Sequence, residues 1–167
     1  MVEEVSVAVL MGSRSDWEVM RFSVATLDDF GVSCKARVIS AHRTPNELFS
    51  FADSARSSGV KVIIAGAGGA AHLPGMLSAK TDIPVLGVPI PSSYLQGLDS
   101  LYSIVQMPNG VPVATFSIGK PGAINAALFA VSILSIGDNE LGVKLHDFRE
   151  RQRLSVIEQS NLSVSDS

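Results

Sequence analysis

Cysteine, charge and long apolar runs are all scarce in this chain, and each scarcity closes off a class of protein. The one cysteine, Cys34, can form neither an internal disulfide nor a thiolate pair for a metal, so it is read as core filling on a strand. Charged residues are only 17% of the 167, the 13 Lys and Arg are scattered, and the net charge is −3. Without a basic run or stripe no nucleic-acid partner is expected, although a small anion can still bind locally. Gly and Pro interrupt every apolar stretch before it reaches the ~18 residues of a membrane span, so the protein is expected to be soluble, with no membrane partner. The acidic opening Met1-Val2-Glu3-Glu4 has no leader pattern, which makes the cytoplasm the expected compartment. Neither a G-x-G-x-x-G after the first strand nor a Walker A loop occurs, and no metal cluster is spaced for binding; no cofactor and no metal are expected.

What the chain has in excess is apolar surface. It is 46% hydrophobic with a mean hydropathy of +0.31, high for a folded monomer that would expose roughly 8,000 Å². A homo-oligomer hiding part of that surface is the expectation. Residues 1–159 read as one domain, and residues 160–167 as a disordered tail.

Along the chain, short apolar runs alternate with segments of helical period. Strands are expected at Val5 to Met11, Cys34 to Ile39, Val60 to Ala65, Val85 to Val88 and Val113 to Ile118. Trp17, Met20, Val24 and Leu27 mark the first helix; Leu48, Ala52 and Ala55 mark the second, which Gly59 should end. Later helices are expected from about Gly97 to Gln106, from about Gly122, and from beyond Gly137 to Ile157 on the face Leu141, Leu145, Phe148. Ala126, Ala127 and Ala130 are small enough for close packing against a neighbouring helix or subunit. Five strands alternating with helices predict an α/β flavodoxin-like three-layer sandwich: a five-stranded parallel sheet, right-handed crossovers and a C-terminal helix.

In such a sheet ligands bind beyond the carboxyl ends of the strands, and that is where the polar and glycine-rich loops fall. Ser40-Ala41-His42-Arg43-Thr44-Pro45 joins the second strand to its helix. Thr44-Pro45-Asn46-Glu47 has the form of a capping box with proline at the first helical position. His42 supplies a proton carrier and Arg43 a fork of anion-binding donors. Ser13 and Asp16 stand in the turn after the first strand, where hydroxyls and free N–H groups suit a phosphate. After the third strand, Gly68, Gly69 and Ala70 lie in a loop so poor in bulk that a flat heterocycle, a carboxylate or carbon dioxide can approach the backbone. His72 follows; a second acid or base, a ligand contact and a structural residue at a helix start are its alternatives, and the last is expected. His146, on the final helix, is expected to be solvated or at an interface. Taken together, one crevice should contain Ser13, Asp16, Ser40, His42, Arg43 and the backbone of Gly68 to Ala71. These residues predict a phosphate- or carboxylate-bearing small molecule and a histidine that moves protons.

Three motifs carry a resemblance: G-S-R-S-D-W at Gly12 to Trp17, S-A-H-R-T-P at Ser40 to Pro45, and A-G-G-A-A-H-L-P-G-M at Ala67 to Met76. With D-S-L-Y-S-I-V-Q-M-P-N-G-V-P-V-A-T at Asp99 to Thr115 and N-A-A-L at Asn125 to Leu128, the chain resembles the N5-carboxyaminoimidazole ribonucleotide mutase family over about Val5 to Phe148. Pro121 departs from the small residue common there. The resemblance implies a cofactor-free isomerase of purine biosynthesis that moves carbon dioxide from an exocyclic nitrogen to ring carbon four, with a ribonucleotide substrate and a homo-octameric assembly. His42 matches the family's proton carrier, and Ser13, Asp16 and Arg43 match its nucleotide-binding positions. The related aminoimidazole ribonucleotide carboxylase, on the same fold, carries S-A-H-K and G-R-S-N where this chain has Ser40 to Arg43 and Gly69 to His72. A non-catalytic nucleotide-binding module is the remaining alternative.

Overall fold

In the computed structural model, which describes residues 5–160, five strands form one parallel sheet in the order β2-β1-β3-β4-β5. These are β1 (Val7–Met11), β2 (Cys34–Val38), β3 (Val62–Gly68), β4 (Val85–Ile90) and β5 (Ala114–Thr115). The helices are α1 (Trp17–Asp29), α2 (Pro45–Ala55), α3 (Leu73–Ser78), α4 (Leu98–Val105), α5 (Lys120–Leu134) and α6 (Asn139–Glu158). The expected tail lies, apart from Ser160, outside the described residues.

Strand alternation divides the core in two. Val7, Val9 and Met11 face α1, α5 and α6, where Met20, Leu27, Val131, Leu141 and Leu145 are buried with them. Ala8 and Leu10 face the other way, into the layer of α2, α3 and α4 with Leu48, Leu73, Leu77 and Ile104. β1 and β4 are buried on both faces, which is why they read as unbroken apolar runs. Each such Leu, Ile or Val contributes roughly 1.5–3 kcal/mol by leaving water. Cys34 is half-buried and packs against the first of these layers, as core filling requires.

The alanine face of α5 has its partner within the chain. Ala123, Ala126, Ala127 and Ala130 are fully buried, α5 lies close against α1, and the buried Ser23 hydroxyl donates to the Ala123 carbonyl at 2.8 Å. It is therefore not a free face for another subunit. Pro121 sits at the start of α5, where a missing N–H costs nothing because no helical carbonyl precedes it.

Several expected boundaries move. β3 runs on through Gly66-Ala67-Gly68, because these residues pair with Val88, Pro89 and Ile90 of β4. β4 correspondingly passes through Pro89. β5 pairs only with Leu86 and Gly87, so the N–H that Pro89 lacks falls beyond the last rung, and its carbonyl still accepts from Gly119 at 2.9 Å. β5 shrinks to two residues at the sheet edge, and α2 stops at Ala55 with a turn leading to Gly59. The Thr44 capping box does not form: the Thr44 hydroxyl is taken by Ser40, accepting from its N–H at 3.1 Å and donating to its carbonyl at 2.9 Å. A capping box forms instead at Ser13–Asp16, around the single 3₁₀ turn that leads into α1.

Candidate active site

Register sets the height of every loop in the site. Met11 is level with Val38 on one side and with Gly66 on the other, so the segments that follow β1, β2 and β3 emerge along one edge. There they enclose a crevice of about 380 Å³. Ser13, Asp16, Ser40, His42, Arg43, Gly68, Gly69 and Ala70 all line it, whereas Ala71, expected with them, is fully buried in the core beneath. The β4 end adds Ile90, Pro91, Ser92 and Ser93.

The turn after β1 is built around Asp16. Its Oδ2 accepts from the Ser13 N–H at 2.9 Å, and the Ser13 and Ser15 hydroxyls lie 3.0 Å apart. Only 8% of Asp16 is exposed, and burial pushes its carboxyl above the ordinary carboxylate range, against the lowering effect of the Ser13 and Gly12 N–H groups. A buried carboxylate at the wall, with serine hydroxyls beside it, is a place for sugar hydroxyls as well as for structure.

On the opposite wall, Ser40 anchors the histidine loop. Its hydroxyl accepts from the Arg43 N–H at 3.3 Å and from the Arg43 Nε at 3.2 Å, while the Thr44 N–H donates to its carbonyl at 2.8 Å. One of the five guanidinium N–H donors is used in this way, and the exposed head of Arg43 keeps the others for an anion.

His42 does not stand alone. Its Nε2 lies 2.8 Å from Nδ1 of His72, with the ring centroids 4.9 Å apart and the planes at 87°. His72 does occupy the helix-start position ahead of α3, but its side chain caps nothing there and meets His42 instead. The structural role expected of it is therefore not what its ring does. No local pattern reveals the pair, which is 30 residues apart in sequence.

The small-residue loop divides between packing and access. Gly66 makes room for the buried Met20, whose Cγ would stand 2.8 Å from a Cβ at that position, and at Gly68 a Cβ would meet Ile90 at 3.4 Å. Gly69 alone of these has open space around it, and its φ of +66° is one that a side chain would strain. Gly68, Gly69 and Ala70 all line the crevice, and the open space is at Gly69.

A parallel α/β sheet whose strand ends hold a histidine, a spare guanidinium and an open glycine backbone is the architecture of an enzyme for a small anionic substrate. Residues 6–155 match the AIR carboxylase family, and the chain belongs to it. The N5-carboxyaminoimidazole ribonucleotide mutase of Bacillus subtilis (strain 168) is 57% identical over 158 residues, covering 95% of this chain and 98% of that protein. The mutase of the same name from Escherichia coli (strain K12) is 58% identical over 152 residues, 91% of this chain and 90% of that one. Among solved structures, Treponema denticola PurE superposes with a TM-score of 0.83 at 29% identity, covering 91% of this chain and 94% of that chain.

Proposed function

We propose that this chain is an isomerase of de novo purine biosynthesis, converting N5-carboxyaminoimidazole ribonucleotide to 4-carboxy-5-aminoimidazole ribonucleotide. The observation that carries the reading is the presence in one crevice of His42, the anion donor Arg43 and the open Gly69-Ala70 backbone, with the His72 ring against that of His42. In this reading Arg43 and Ser13 hold the phosphate, Asp16 receives the ribose hydroxyls, Ser40 fixes Arg43, and Gly68, Gly69 and Ala70 cradle carbon dioxide.

His42 closes a proton cycle. As imidazolium it protonates the carbamate nitrogen; the N–C bond breaks, its electron pair stays on nitrogen, and neutral imidazole and carbon dioxide remain. Ring carbon four then attacks the carbon dioxide, and the neutral imidazole removes the proton from that carbon, restoring aromaticity and the imidazolium. No proton is gained or lost over the cycle, and none of these steps needs a cofactor. The His42–His72 contact requires one ring to donate and the other to accept, so His72 hands His42 a partner in either state short of both being charged.

The test is turnover of the carbamate substrate by the purified protein in buffer containing labelled bicarbonate. Conversion with little label in the product is expected, because recapture in the cradle outruns exchange. Efficient use of the unmodified aminoimidazole ribonucleotide with label from the medium would mean a carboxylase; binding with no turnover would mean a module.

No helix among the described residues is long and apolar enough to cross a membrane. We further propose a cytoplasmic homo-octamer, supported by exposed apolar side chains that include Tyr94 at 97%, Ile136 at 87% and Val156 at 70%. Sedimentation should show one closed species with no concentration-dependent growth, and a stable monomer at micromolar concentration would overturn it.

A further inference from the structure

Behind the crevice, two serines of α4 grip a single residue, Gly69. The Ser100 hydroxyl is fully buried; it donates to the Ile90 carbonyl at 2.7 Å and accepts from the Gly69 N–H at 2.9 Å. About one helical turn on, the Ser103 hydroxyl lies 3.2 Å from the Gly69 carbonyl and 2.8 Å from the Asp99 carbonyl, so its one proton is shared between them. Both polar groups of Gly69 are thereby held from the same helix, at the residue where β3 has just ended and no ladder fixes the backbone.

The grip continues in both directions. Toward the other wall, the Asp99 carboxylate accepts from the Ser100 N–H at 3.0 Å and from the Ser92 hydroxyl at 2.6 Å, tying the loop after β4 to the same helix. Forward along the chain, Ala71 donates to the Gly69 carbonyl and His72 to the Ala70 carbonyl, each at 2.9 Å, and the His72 ring then reaches His42. Only Ala70 and Ala71 separate the pinned Gly69 from the residue whose ring meets the proton carrier. A shift of Gly69 would therefore move the carbon dioxide cradle and His72 together.

We infer that Ser100 and Ser103 are positioning residues, which hold Gly69 so that released carbon dioxide stays within reach of ring carbon four and His72 stays against His42. The inference rests on the mutase reading. Neither serine lines the crevice: Ser100 is buried behind its wall, and Ser103 bonds to the lining at Gly69. A purely structural serine pair would affect stability alone, whereas a positioning pair controls how often carbon dioxide is recaptured.

The experiment measures, for each turnover of the carbamate substrate, the ratio of carboxylated product to free aminoimidazole ribonucleotide, after subtracting spontaneous loss without protein. Ser100→Ala and Ser103→Ala are each expected to raise the escaped fraction at least threefold and to lower kcat, with KM within about twofold. Ser103→Thr, which keeps the hydroxyl, should restore the parent ratio. If Ser100→Ala fails to fold, the half-buried Ser103 supplies the same reading by itself. Parent-like partition in folded variants, with only the melting temperature lowered, would overturn the inference while leaving the mutase reading intact. Failure of the unmutated protein to convert the carbamate would instead remove the reading beneath it.

Discussion

His42 Nε2 and His72 Nδ1 face one another at 2.8 Å across the end of the sheet, one ring nearly perpendicular to the other. The two residues are separable by mutation because, in the proposed function, only His42 exchanges a proton with substrate. His42→Asn should abolish turnover while ribonucleotide binding stays within about tenfold, since Ser13, Asp16 and Arg43 remain. His72→Asn should lower kcat roughly tenfold with little change in KM, because the ring partner of His42 is lost. Steady-state kinetics with titration calorimetry checks both. A parent-like kcat in His72→Asn would leave the contact without a role.

Arg43 commits one N–H to Ser40 and leaves the remainder of its fork exposed at the crevice. Arg43→Ala should weaken ribonucleotide binding by about 2 kcal/mol, some thirtyfold, through loss of a charge-assisted phosphate contact. Arg43→Lys should recover only part of it, because an ammonium cannot present a planar fork. An unchanged dissociation constant in Arg43→Ala would place the guanidinium outside the phosphate site.

Asp16 links stability to function with opposite signs. Burial raises its carboxyl pKa in the folded protein, so the ionised form is disfavoured on folding. The destabilisation is absent below the unfolded pKa, grows as pH rises through the window up to the folded pKa, and is complete above it. Asp16→Asn, whose amide oxygen can still accept from the Ser13 N–H, should therefore raise the melting temperature at neutral pH, with the gain vanishing in acid. The same change should weaken substrate binding. Melting curves from pH 3 to pH 8 test the sign; a gain that grew toward acid would contradict it.

Gly122, in the first turn of α5, sets two effects against each other. Gly→Ala in a helix normally adds about 1 kcal/mol of stability. Here a Cβ would run into the Ser117 backbone, with the Ser117 carbonyl carbon at 2.7 Å, and backbone cannot swing aside as a side chain can. The clash should win, leaving Gly122→Ala less stable by about 2 kcal/mol in chemical denaturation. A stabilised variant would show that the turn before α5 gives way easily.

Strand and helix order, the expected crevice and the apolar faces of α2 and α6 were legible because they depend on neighbours within a few residues. The period of Leu48, Ala52 and Ala55 reports a buried face wherever the helix lies, and all three are buried. The polar loops pointed to the strand ends because parallel crossovers leave little else for them to do. Four features were decided only by the packed sheet. Thr44 gave its hydroxyl to Ser40 and not to its own helix, and Gly66 served Met20 and not a ligand. The alanines of α5 met α1 inside the chain, and His72 met His42. The last pairing spans 30 residues, and the grip of Ser100 on Gly69 spans 31. Such distances are closed by the register of β1, β2, β3 and β4, in which a slip of one rung moves a loop by about 3.3 Å, enough to break any of these hydrogen bonds. A local pattern can say that a residue is polar and at a strand end; only the register says which residue stands opposite.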